Sequence, residues 1–138
     1  MQINIKNTAL LFFIMLLGIL CKPDLSNPKV EALYTEVIAI HDEVMPKMST
    51  IHKLKKKLKK IENGVVTKVL IDNLDKADEG MMQWMEDFAV FKKMDDKSDE
   101  EKIKFLEEEK EKITKVSVNM KSSISIAEAY LNNQQDSK

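Results

Sequence analysis

Residues 30–61 carry an apolar seam that leaves this chain little choice of fold. Val30, Leu33, Val37, Ile40, Val44, Ile51, Leu54, Leu58 and Ile61 recur at spacings of three and four, which places them on one face of an α-helix. Met48 carries the seam past Lys47. Asn27-Pro28 supplies a start, a side-chain cap followed by a proline at the first helical position, and Asn63-Gly64 supplies a stop. Pro46 lies inside the seam, removes the hydrogen bond to the Asp42 carbonyl, and should kink the helix. Because the seam keeps its phase across the proline, the sequence predicts one kinked helix over 28–62.

Two more seams follow. Leu70, Leu74, Ala77, Met81, Trp84, Phe88 and Phe91 alternate by four and three, predicting a second helix over 65–94 that tolerates Gly80 at a cost near 1 kcal/mol. Ser98-Asp99-Glu100-Glu101 is a capping box. It opens a third helix over 98–132 whose seam is Ile103, Leu106, Ile113, Met120, Ile124, Ala127 and Leu131. Lys110 and Ser117 dilute that seam, so this helix is the expected weakest partner. Helices of about thirty residues joined by short turns run up, down and up. The predicted fold is all-α, an elongated antiparallel three-helix bundle, coiled-coil-like and about 45–50 Å long, with a polar tail over 133–138. With three Gly and three Pro in 138 residues, the composition suits long helices.

Ahead of the bundle, Ala9 to Leu20 form an unbroken apolar run behind Lys6. The run is shorter than the ~20 residues of a spanning helix and suits the apolar region of a signal peptide. It ends on Cys21, the only cysteine. Gly18-Ile19-Leu20-Cys21 resembles the lipobox of bacterial lipoproteins, although Leu20 stands where that family places a small residue. The resemblance implies that residues 1–20 are removed as a signal peptide and that Cys21 is lipidated as the mature N-terminus. Residues 21–27 would then tether the bundle to a membrane, in the bacterial cell envelope and on the outer membrane. Two acyl chains on one cysteine make a firm anchor. The stretches His41 to Met48 and Lys76 to Met85 make the chain similar to small uncharacterised helical lipoproteins of Bacteroidota-type bacteria. Some of these carry the label "viral A-type inclusion protein", which reflects generic coiled-coil similarity. That family implies an envelope address and no activity.

The chemistry legible in the sequence is sparse. Nucleic acid is an unsuitable partner, because the chain has no arginine and a formal net charge of −1, while phosphate and base recognition lean on arginine forks. No Ser or Cys nucleophile has a base beside it, there is no Gly-rich phosphate loop, and His41-Asp42-Glu43 diverge by ~100° per residue on a helix. No enzyme is expected. One constellation stands out. His41, Met45, Met48 and His52 are spaced four, three and four apart, and antiparallel pairing sets Met45 level with Met82 and His41 near Met85. Ordinary core is the first reading, since Met fills gaps well. The alternative is a soft-metal site, His41, Met45, Met82 and Met85 holding copper as Cu(I). His41 and His52 lie ~16 Å apart and cannot share one ion. A haem between His41 and Met85 lacks a CxxCH and room.

Charge is uneven along the rod. Lys53, Lys55, Lys56, Lys57, Lys59 and Lys60 crowd the end of the first helix, and Asp95, Asp96, Asp99, Glu100, Glu101 and Glu107 to Glu109 crowd the opposite end. Each cluster suits a helix dipole, and solvated helix ends are the plain reading. The other reading is a contact surface for anionic lipid or polysaccharide. A tether at the start of the first helix makes the lysines membrane-distal, which weakens lipid and leaves polysaccharide or an acidic protein. The functional expectation is a lipid-anchored envelope protein with a binding or scaffolding role towards a protein or polymer, and the thin third seam also permits self-association. Its alternative is a copper-binding protein.

Overall fold

A computed structural model of the chain describes residues 23–61 and 64–136. The predicted signal peptide, Cys21, Asn63 and the end of the polar tail lie outside the described residues. The structure is 85% helix, with no strand among the described residues. Its elements are α1 (Pro28–Val44), α2 (Lys47–Leu58), α3 (Val65–Phe88), a 3₁₀ turn (Ala89–Lys93) and α4 (Asp99–Asp136).

The helix ends follow from local chemistry. Asn27 caps α1, its Oδ1 accepting from the N–H groups of Lys29 at 2.8 Å and Val30 at 3.4 Å, with Pro28 next in line. Thr67 Oγ1 donates to the Gly64 carbonyl at 2.8 Å and receives the Gly64 N–H at 3.2 Å, closing the first turn of α3. At α4 the capping box forms. The Ser98 N–H donates to Glu101 Oε2 at 3.1 Å, and the Glu101 N–H donates to Ser98 Oγ at 3.3 Å. α4 extends to Asp136, beyond the predicted end, because no glycine or proline stops it. α3 instead ends at Phe88 and tightens into the 3₁₀ turn.

Pro46 splits the predicted first helix into α1 and α2. Met45 and Pro46 keep right-handed helical dihedrals (φ −53°, ψ −42° and φ −61°, ψ −23°), so the chain bends without reversing. The seam survives the bend: Val30, Val37, Val44, Ile51 and Leu58, seven residues apart, are all completely buried. Ion pairs Lys29–Glu107, Glu36–Lys110 and Glu43–Lys121 keep a nearly constant offset and fix α1 parallel to α4. Each such surface pair contributes at most about 1 kcal/mol. His52–Asp78 and Lys55–Asp75 join α2 to an antiparallel α3, and Phe105 meets Phe88 and Phe91 where α3 and α4 cross back.

α4, expected to be the weakest partner, is the helix on which the other two lean. α1 makes its close backbone approaches to α4 and scarcely any to α3. The seam of α4 also differs from the predicted one. Leu106, Glu109, Ile113, Ser117 and Met120 are buried, stepping three, four, four and three, while Ile103 and Lys110 are only partly covered. A step of four where a strict heptad has three rotates the apolar stripe, which lets an α-helix of 3.6 residues per turn stay straight against its neighbours. The rotation brings Glu109 inward in place of Lys110.

Gly80 gives a direct test of the packing. A Cβ built there would meet only Val116 Cγ2, at 4.0 Å, an ordinary contact. Gly80→Ala should therefore stabilise the protein by about 1 kcal/mol through helix propensity and a less flexible unfolded chain. Urea unfolding of the two proteins checks it, and a loss of stability would show that α3 and α4 need to approach more closely.

The predicted tether is partly built into the bundle. Leu25 packs against a second core cluster formed by Val30, Phe91 and Leu106. Asn27 Nδ2 donates to Asp99 Oδ2 at 2.8 Å, and the Asp24 N–H donates to Asp95 Oδ1 at 3.2 Å. Lys102, only 3% exposed, places its ammonium 3.0 Å from Asp24 Oδ2. That ammonium, and next Ser26, hold the Asp24 carboxyl below its ordinary value of 3.8. A carboxyl lowered in the folded state contributes stability that is complete above its unfolded pKa and lost as pH falls through the folded one. Stability should therefore fall on acidification below about pH 4, less steeply in Asp24→Asn. Melting temperatures of both proteins across the acid range would show parallel curves if the Asp24–Lys102 contact contributed nothing.

Candidate binding site

Because α1 and α3 stand apart, a cleft of about 260 Å³ opens between them. Its α1 wall is Tyr34, Ile38 and His41, one turn apart on the flank of the buried seam, and its α3 wall is Trp84, Met85 and Phe88. Lys92 stands at the end of the cleft, in the 3₁₀ turn. Large rings hold the helices apart here. Trp84 stacks on Phe88 at 4.8 Å, Tyr34 stacks on Phe91 at 5.4 Å and lies 5.9 Å from Phe88, and the His41 ring tilts against Trp84 at 5.6 Å. Pairs of this kind contribute about 0.5–1.5 kcal/mol each beyond the area they bury. The cleft is thus floored by rigid aromatic surface, the form of site that accepts an apolar or aromatic group.

Trp84 also carries an unused donor. Trp84 is 3% exposed, and its indole Nε1 is buried without a hydrogen-bond partner. Across the α3–α4 interface, the Phe88–Phe105 contact sets the register. One turn further along each helix, Trp84 comes level with Glu109. Glu109 is 1% exposed; its Oε1 receives the Lys112 ammonium at 2.6 Å, and its Oε2 is buried without a partner. The Glu109 carboxylate raises the pKa of Lys112 above its ordinary 10.5. Among the described residues α3 thus carries an unused donor and α4 an unused acceptor at one level of the rod.

The sequence-derived His and Met set is only partly assembled. His41 and Met85 line the same cleft, whereas Met45 (36% exposed) and Met82 (47%) face solvent and do not line it. Met48 packs on the main core, and His52 Nε2 lies 3.2 Å from Asp78 Oδ2 at the surface. His41 Nδ1 lies 2.9 Å from Asp42 Oδ1, so these neighbours converge despite the ~100° that separates adjacent helical residues. Among the described residues no three His, Cys, Asp or Glu side chains gather as a metal site needs. Only its α1 wall leaves a trace in the sequence, Tyr34, Ile38 and His41 at spacings of four and three beside the main seam.

Of the lysines at the far end, Lys55 pairs with Asp75. Lys53, Lys56, Lys57, Lys59 and Lys60 are exposed. Among the described residues no helix is long and apolar enough to cross a membrane. No family model, no curated protein and no solved structure matches this chain.

Proposed function

We propose that this protein is a lipid-anchored helical binding module of the bacterial envelope, without catalysis, which docks a protein partner through the α1–α3 cleft. The anchor rests on the resemblance of Gly18 to Cys21 to a lipobox. The observation that carries the binding role is the aromatic cleft itself, which presents the rigid rings of Tyr34, Trp84 and Phe88. An apolar or aromatic side chain would fill it, and burying such an anchor contributes about 1.5–3 kcal/mol. Lys92 at the end of the cleft favours a partner with an acidic flank.

A photo-crosslinking residue at Ile38, read in intact cells against one at the exposed Glu111, tests this. The expected result is one discrete adduct from position 38 and none from position 111. Equal, diffuse labelling from both would remove the cleft as the docking site. A second reading, copper binding, draws support from His41 and Met85 sharing the cleft. Anaerobic Cu(I) titration against a chelator decides it. Tight one-to-one binding abolished by Met85→Leu would favour copper, and binding no stronger than that of an unrelated Met-containing bundle would end that reading.

A further inference from the structure

We infer that the lysine-rich end of the bundle binds an anionic lipid surface, its lysines on lipid phosphates and the exposed valines at the start of α3 inserted among the headgroups. Lysines alone do not separate lipid from polysaccharide or an acidic protein. The valines do. Val65 is 82% exposed, Val66 54% and Val69 50%. They occupy the outward face of the first turns of α3, while Thr67, Leu70 and Leu74 take the inward one. On the adjoining helix, Lys53, Lys56, Lys57 and Lys60 form an outward stripe opposite Ile51, Leu54 and Leu58, which are buried. Among the described residues none of these four lysines has an ion-pair partner.

The two surfaces meet at the hairpin. Lys59, Val65 and Lys68 line one recess of about 380 Å³ beside Gly64. Among the described residues Asp75 is occupied by Lys55, and Glu128 lines a recess with Lys57 and Leu54 on the flank; Glu62, in the hairpin sequence, lies outside the described residues. A polysaccharide rewards the cations and leaves the exposed aliphatic groups in water, and an acidic protein would need an apolar patch set among its carboxylates to cover them. A bilayer interface accepts both, since the acyl boundary takes the valines while the phosphates attract the lysines, each lysine strengthening binding about fivefold.

The location of that surface rests on the proposed Cys21 anchor; the lipid contact does not. α1 and α2 together set the tip roughly 45 Å from the tether, so an anchored protein would reach a facing membrane and join it to its own. The test uses the protein purified from bacteria expressing the full-length sequence, mixed with phosphatidylcholine vesicles, with a fluorescent, environment-sensitive amino acid in place of Val66. Co-flotation reads the anchor. Added vesicles containing about one-third phosphatidylglycerol, at about 0.1 M salt, read the tip. The expected result is vesicle clustering with a blue shift at position 66, and neither with pure phosphatidylcholine.

Lys57→Gln/Lys59→Gln/Lys60→Gln should weaken clustering about a hundredfold, and Val65→Ser/Val66→Ser/Val69→Ser about tenfold. Co-flotation without clustering or a blue shift would overturn the tip contact and leave the anchor standing. A blue shift without co-flotation would overturn the anchor and uphold the lipid contact. Clustering unchanged by the three serines would reduce the tip to a general polycation and overturn the inference.

Discussion

Trp84→Ala is expected to destabilise the bundle by about 3–5 kcal/mol, the range for removing a buried tryptophan. Trp84 is 3% exposed and stacks on Phe88, a side chain that packs against both core clusters. On one side it belongs to the long core with Met81, Ile113 and Val44, and on the other it stacks on Phe88, which leads to Phe91 and Phe105. Truncation to alanine removes both the stacking and the volume, and helices already held apart by rings cannot readily collapse onto the gap. For a domain of this length the loss corresponds to a fall in melting temperature of roughly 10–25 °C. Trp84→Phe should cost far less, about 1–2 kcal/mol, because the ring stack is kept and the lost indole N–H has no protein partner. Calorimetry on the three proteins checks the ordering. A phenylalanine variant as damaged as the alanine one would mean that the indole N–H is hydrogen-bonded, through water, to Glu109.

Glu109→Leu should move stability the other way, raising it by about 1–3 kcal/mol. The carboxylate is 1% exposed at a seam position of α4, and one of its oxygens has no partner. Its one ion-pair partner among the described residues is Lys112, whose side chain is 52% exposed and would be rehydrated when the carboxylate is removed. Deleting the buried member of the pair therefore leaves no stranded charge, and leucine adds apolar area at a site already shielded from water. The gain has one offset. The raised Lys112 pKa means that the pair contributes stability below pH 10.5, lost as pH rises through the folded value, and the variant lacks that alkaline-side slope. Chemical denaturation near neutral pH measures the net effect. A loss of more than about 1 kcal/mol would show that Glu109 is held by hydrogen bonds through water and is a structural part of the core. Glu109→Gln then separates charge from hydrogen bonding, because the amide keeps an acceptor without the desolvated charge.

These two residues also mark the boundary between what was readable in advance and what was not. The helical class, the seams through Val30 to Leu58 and Leu70 to Phe91, the caps at Asn27 and Ser98 and the bend at Pro46 were all present in the sequence. They depend on the 100° advance per helical residue and on side chains reaching their own backbone, which are local properties. The sequence by itself also carried the Cys21 reading, which lies outside the described residues. Four features depended on the assembled bundle: the burial of Glu109 and Lys102, the central place of α4, the docking of Asp24 to Asn27, and the cleft at Trp84. Each is a matter of phase or volume between helices. A four-residue step in α4 turns Glu109 inward in place of Lys110, and the rings of Tyr34, Trp84 and Phe88 keep α1 and α3 apart. A periodic pattern states which face of a helix is apolar; only the sizes of the side chains that meet across an interface decide which pair of helices closes and which stays open.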